Sequence, residues 1–175
     1  NTTPDKIFDK IIRQCYDFWT PERKDRATAK GLTPQTAYIL ASIIEEETNN
    51  TKEKDTMASV YLNRVAANMP LQADPTVKFA LKDFGLKRIM QKHWQVPSPY
   101  NTYLVKGLPP GPICTPSRQT IDAVLRAPKT PYLYFVAKPD FRGYSNFASS
   151  YPEHLIYAKA YQHALDSLIL SKQTK

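Results

Sequence analysis

Apolar residues at helical spacing open the chain. Ile7, Phe8, Ile11, Ile12 and Cys15 recur on one face over residues 4–18, and Pro21 stops the run. Residues 22–31 are charged and weakly patterned, which predicts a solvated helix or loop. Thr33 as N-cap with Pro34 at the first helical position starts a second periodic helix running to about Thr48. A further helix is expected from about Asp55 to Ala67, with Met57, Val60, Tyr61 and Val65 inward. Residues 68–115 carry the least periodicity and many of the prolines, the signature of an irregular binding region. Thr115-Pro116 repeats the cap-plus-proline signal and opens a short helix through Ile121, Val124 and Leu125. Tyr132 to Ala137, aromatic and β-branched between Pro131 and Pro139, reads as a strand. Pro152 opens a last helix with Leu155, Ala158, Tyr161, Leu165 and Leu168 along one stripe. The pattern predicts an α+β fold: helices with a small sheet.

One position breaks the polar/apolar rule. On a helical wheel with Leu40 at zero, Ala37, Ile43 and Ile44 place the apolar centre at about 30°. Of three consecutive glutamates, Glu46 falls on the far side and Glu45 at the border, while Glu47 lies within about 50° of that centre. A carboxyl facing apolar surroundings has its charged form disfavoured, so its pKa rises. Kept protonated near neutrality, it can donate to a glycosidic oxygen. The competing reading is a glutamate at a helix end that reaches solvent or pairs with an arginine.

Composition narrows the partners. Lys+Arg number 24 against 16 Asp+Glu, a formal net charge of +8, which favours an anionic polymer or surface. The basic residues are scattered, with no nucleic-acid recognition signature, so nucleic acid is not expected. Cys15 and Cys114 fit no metal or redox spacing; they read first as two buried thiols, with a bridge open to them in an oxidising compartment. No His or Cys cluster suggests a metal or cofactor, and none is expected. The chain opens on Asn1 rather than Met and reads as an excised fragment.

The run Ala41-Ser42-Ile43-Ile44-Glu45-Glu46-Glu47-Thr48 resembles the signature of the endolytic murein transglycosylases, the MltG/YceG-like family. The resemblance continues, in the family's order, through Val60-Tyr61-Leu62-Asn63-Arg64 and Leu71-Gln72-Ala73-Asp74-Pro75-Thr76-Val77. It then takes in Tyr100-Asn101-Thr102-Tyr103, Gly107-Leu108-Pro109-Pro110-Gly111-Pro112-Ile113 and Lys129 to Val136. It implies a lysozyme- or transglycosylase-like active-site helix and one YceG-like catalytic domain over residues 1–175, with 1–31 as a helical lead-in. An N-terminal membrane helix and a LysM-like segment would precede it. The enzyme would then be held in the inner membrane and face the periplasm. Its substrate would be peptidoglycan, cut within strands between N-acetylmuramic acid and N-acetylglucosamine. The family also allows contact with cell-wall elongation synthases.

The family's catalytic glutamate maps to Glu47. The resemblance makes Gln72, Asp74, Thr76, Tyr100, Asn101, Tyr103, Gly107, Pro109, Gly111, Asn146 and Phe147 candidates for the glycan groove. Asp74 could support the loop or take part in catalysis, so a two-carboxylate hydrolase stays open, as does a non-catalytic glycan-binding module. Two departures stand out. Some relatives carry a histidine where this chain has Gly143-Tyr144-Ser145-Asn146-Phe147, and the approach to Glu153-His154 diverges. Arg64 reads as a surface residue or an ion-pair partner, Trp19 and Trp94 as packing, and His154 and His163 as surface residues of the last helix.

Overall fold

The computed structural model describes residues 2–86 and 88–173. The fold is α+β, with seven helices and one two-stranded sheet among the described residues. Three helices start alike, with a threonine cap followed by proline: α1 (Pro4–Phe18), α2 (Pro21–Thr28) and α3 (Pro34–Glu47). At α3 the cap is reciprocal. Thr33 Oγ1 accepts from the Thr36 amide at 3.2 Å and Thr36 Oγ1 accepts from the Thr33 amide at 2.8 Å.

Helix α3 is the centre of the core. Ala37, Leu40, Ala41, Ile43 and Ile44 are fully buried, and so is Ser42. Ser42 is satisfied by donating to the Ile39 carbonyl and accepting from the Ile113 amide, at 2.7 and 3.0 Å. Burial on more than one face exceeds what the wheel implied, because α2, α4 (Lys54–Ala66), α5 (Asp74–Leu81) and α6 (Arg118–Arg126) all pack on α3. The antiparallel pair β1 (Tyr134–Ala137) and β2 (Ser145–Ala148) sits against α4 on one side and α7 (Tyr151–Gln173) on the other.

Several sequence expectations are corrected. The irregular stretch contains α5 and a 3₁₀ turn at Gln91–Gln95. Helix α6 is capped by Ser117, whose hydroxyl accepts from the Thr120 amide at 3.2 Å, rather than by Thr115. The strand is shorter than Tyr132–Ala137, and its partner β2 carried no alternation to announce it. Helix α1 forms as expected, yet its apolar stripe stays exposed: Phe8 is 63 % and Ile11 60 % accessible. Cys15 lies on that exposed helix and Cys114 is half-buried; both are free. No helix among the described residues is long and apolar enough to cross a membrane.

The α3–α4–α6 junction is locked by a buried ammonium. Lys54 Nζ donates to Glu45 Oε2 at 3.0 Å and to Thr120 Oγ1 at 2.7 Å, while Thr120 and Ser117 donate to the same carboxylate. Burial alone would raise the Glu45 pKa; the bonds from Thr120, Lys54 and Ser117 outweigh it and hold the group below its usual value. Removing the carboxylate strands a buried cation. Glu45→Ala is therefore expected to cost about 2–3 kcal/mol in urea unfolding, against less than about 0.5 kcal/mol for exposed Glu46→Ala. Equal effects at the two positions would contradict this assignment.

Candidate active site

Glu47 is the last residue of α3, and extended Thr48 turns the chain away just beyond it. Its side chain is half-buried, with Oε1 accepting a 2.7 Å hydrogen bond from the hydroxyl of Tyr61 on α4. Tyr61 is 1 % exposed and packs edge-on against Phe135 of β1, with ring centroids 5.9 Å apart. Burial lifts the Glu47 carboxyl to about 7, against the lowering effect of the Tyr61 bond; the Asp74 charge adds to the rise, and Arg64 and Lys78 oppose it. The group is thus poised between acid and base at neutral pH.

Arg64, one helical turn beyond Tyr61, is neither on the surface nor in an ion pair. It is 8 % exposed, with Nε donating to the Leu133 carbonyl at 2.6 Å and Nη1 to the Leu71 carbonyl at 2.8 Å. One guanidinium thereby ties the approach to β1 to the loop before α5. Burial lowers its pKa from the ordinary guanidinium value, and a guanidinium in a protein stays a cation. Next in that loop, Gln72 adopts a left-handed backbone at φ 51°, a conformation that costs a residue other than glycine about 1 kcal/mol. Its amide is held by the Thr102 carbonyl at 3.0 Å.

Two cavities meet at Glu47 and Phe135. The first, about 480 Å³, is also lined by Arg64, Gln72, Asp74, Trp94, Tyr103 and His154. The Tyr103 hydroxyl donates to Asp74 Oδ1 at 2.6 Å, and Tyr103 stacks on Trp94 with centroids 5.1 Å apart and planes 10° from parallel. That pair forms a flat aromatic wall beside two carboxyl groups. The second cavity, about 670 Å³, runs between the end of α3 and the β1–β2 hairpin.

Of the residues expected to form the groove, Gln72, Asp74 and Tyr103 share the first cavity with Glu47. Thr76 and Asn101 are fully buried. Thr76 bonds to Ala73 and Thr102, and Asn101 Nδ2 donates to the Trp94 and Val96 carbonyls at 2.9 Å each. Asn101 thus holds the loop bearing the aromatic wall. Tyr100 packs on Phe79, its hydroxyl 2.8 Å from where a Cβ at Gly111 would stand, which explains the glycine there. Pro109 and Gly111 line a separate apolar cavity against the N-terminal half of α3, and Gly107 lies just before them, so this turn does not border Glu47. Asn146 pairs with Val136 across the hairpin, and Phe147 packs on Tyr132 and Phe135.

Trp94, Arg64 and His154, read from sequence as packing or surface residues, all line the Glu47 cavity. His154 stacks on Tyr134 at 5.4 Å, and its buried Nδ1 has no hydrogen-bond partner. Burial lowers its pKa, with Arg64 adding to the effect, so the imidazole is neutral at pH 7. The sequence carried only a weak signal: His154 lies one turn before Ala158, beside Leu155 of the predicted stripe.

The YceG-like family model matches residues 1–160. An endolytic murein transglycosylase of Bacillus subtilis (strain 168) is 42% identical over 157 residues, which cover 88% of this chain and 42% of that protein. One from Streptococcus pneumoniae serotype 2 is 32% identical over 141 residues, covering 78% of this chain and 25% of the relative. The crystal structure of a YceG-like protein of Listeria monocytogenes superposes with a TM-score of 0.69 at 37% identity, over 76% of this chain and 43% of that one. The chain thus spans less than half the length of each.

With a native value near 7 and an unfolded value of about 4.3, Glu47 binds more protons in the native state between those limits. Its contribution to stability is present below about pH 4 and is lost as pH rises through 7. Glu47→Gln should therefore be more stable than the parent by about 1–2 kcal/mol at pH 8, after discounting for the cavity opening, with the gap closing toward pH 4. Urea titrations at both pH values measure it; a gap independent of pH would refute the burial argument.

Proposed function

The chain belongs to the YceG-like family, and we propose that it is a lytic transglycosylase that cleaves peptidoglycan within its glycan strands. The observation that carries the reading is Glu47, a carboxyl lifted to about 7 and held by Tyr61 where two cavities meet. A strand lying across both cavities would put a glycosidic oxygen over this group. Protonated Glu47 gives its proton to that oxygen as the C1–O bond breaks and oxocarbenium character develops. The resulting carboxylate takes the proton of the muramoyl C6 hydroxyl while O6 bonds to C1. The products are a free 4-hydroxyl on the departing sugar and a 1,6-anhydromuramoyl end, with no water consumed and Glu47 restored to its acid form.

The flat Trp94–Tyr103 wall suits a sugar face, and Gln72 and neutral His154 offer hydrogen bonds in the same cavity. Tyr61 is a positioning residue: it fixes one carboxyl oxygen and leaves the other for substrate. A peptidoglycan substrate requires the domain to work outside the cytoplasmic membrane, in keeping with a periplasm-facing enzyme.

Asp74 supports a second reading. It lines the same cavity and its charge bears on Glu47, so a two-carboxylate hydrolysis would have both groups at hand. Product chemistry separates the two. Mass spectrometry of digested peptidoglycan is expected to give anhydro-ended fragments from the parent chain, and at least about a thousandfold less from Glu47→Gln. Reducing ends would instead assign the reaction to water and Asp74. Tyr61→Phe removes a bond that lowers the Glu47 pKa, so the alkaline limb of kcat/KM should move upward by up to about one pH unit. An unmoved limb would mean that Tyr61 does not tune the acid.

A further inference from the structure

The two cavities that meet at Glu47 differ in charge. The one with the aromatic wall holds the Asp74 carboxylate, and its cation, Arg64, has Nε and Nη1 committed to backbone carbonyls. The hairpin cavity is lined by one basic residue among those described, Arg142. Arg142 is exposed, and its guanidinium makes no hydrogen bond or ion pair with any described residue. Apart from Glu47, which both cavities share, the other lining groups are neutral, among them Asn49, Asn50, Ser145 and the ring of Tyr144. The nearby carboxylates of Asp140 and Glu53 lie outside the lining, and each accepts from a backbone amide of the loop.

The loop that carries Arg142 is held at several points. Asn50 Nδ2 donates to the Gly143 carbonyl at 3.1 Å, tying the loop to the chain just after α3. The Ser145 amide donates to both oxygens of Glu53, at 2.9 and 3.1 Å, and Glu53 is 8 % exposed. Across the hairpin mouth the Lys138 amide donates to the Tyr144 carbonyl at 2.7 Å, and the Arg142 amide is capped by Asp140 at 3.1 Å. Phe141 and Gly143 take left-handed backbones at φ 55° and 77°, which set the tight return of the loop. A free guanidinium is thus mounted on a fixed support at the rim of the cavity that holds the acid.

We propose that Arg142 is the specificity residue for the acidic peptide substituent of the glycan, receiving a peptide carboxylate in the hairpin cavity and so fixing which sugar lies on which side of Glu47. The inference rests on the glycan reading above. A muramoyl unit carries its peptide on the lactyl ether, whereas the neighbouring N-acetylglucosamine carries none. A carboxylate is drawn to the cavity with the free cation and repelled from the one holding Asp74. The strand is therefore threaded in one direction, with the peptide-bearing sugar on the hairpin side and the unsubstituted sugar against Trp94 and Tyr103. Guanidinium geometry suits this task, since its planar fork matches a carboxylate bidentately.

The test is a binding measurement in the Glu47→Gln chain, which holds substrate without turning it over. Calorimetry compares three probes: defined glycan oligosaccharides bearing peptides, the same strands with peptides removed, and strands whose peptide carboxylates are amidated. The peptide-bearing strands should bind about three- to tenfold more tightly than the other two, the range of a partly exposed charge pair. The preference should shrink as salt rises from 50 to about 500 mM. It should fall toward unity in Glu47→Gln/Arg142→Gln and largely return in Glu47→Gln/Arg142→Lys. Equal binding of all three probes, a preference that survives amidation or Arg142→Gln, or no binding of any strand would each overturn it. Failure of the transglycosylase reading shows elsewhere, in the product masses of the parent chain.

Discussion

Helix α3 has to bury almost its whole circumference and yet end on a carboxylate, and most of the architecture answers to that requirement. Four helices cover its apolar residues, so the helix cannot rotate to expose Glu47 without uncovering Leu40, Ile43 and Ile44. Each fully buried aliphatic side chain is worth about 1.5–3 kcal/mol, so Leu40, Ile43 and Ile44 together outweigh the penalty of keeping one carboxyl protonated. Packing wins, and the proton affinity of Glu47 is what it leaves behind. The neighbouring glutamates show the alternative fates: Glu45 finds an ammonium and two hydroxyls, while Glu46 faces water.

The walls of the site come from segments distant in sequence, and Arg64 joins them. Its bonds to Leu71 and Leu133 hold the loop carrying Gln72 and Asp74 against the strand carrying Phe135. Asn101 does the same for the aromatic wall by fastening the backbone at Trp94 and Val96. In both cases a side chain that looks fit to grip substrate is spent on gripping carbonyls. In the cavity with the aromatic wall the groups left for a ligand are Gln72, Tyr103, Trp94, His154 and the acid itself.

The central helices were legible in the sequence because their caps and periodicity are local. Thr33-Pro34 marks a start by a mechanism that needs no knowledge of the fold, and the wheel places Glu47 correctly because it depends on only one helix. What escaped depends on partners far along the chain. Arg64 reads as a surface residue until the carbonyls of Leu71 and Leu133 are brought to it. The Gly107–Gly111 turn has the stiffness of a cleft wall, but stiffness does not say which side of α3 it packs on. Helix α5 hides because its eight residues include β-branched and aromatic side chains in a proline-rich stretch. The stripe on α1 reports a face suited to burial; periodicity names no partner for it.

Because burial is what raises the Glu47 pKa, the acid does not exist before the fold does. In a nascent or unfolded chain the same side chain has an ordinary carboxylate value and is ionised at neutral pH, unable to protonate anything. The walls around it close only when residues some sixty positions apart meet through Arg64, a closure that carries the entropy cost of the chain it spans. Glu47 therefore acquires its raised proton affinity only in the finished molecule. A chain caught half-made would hold no such acid, whatever it had already assembled.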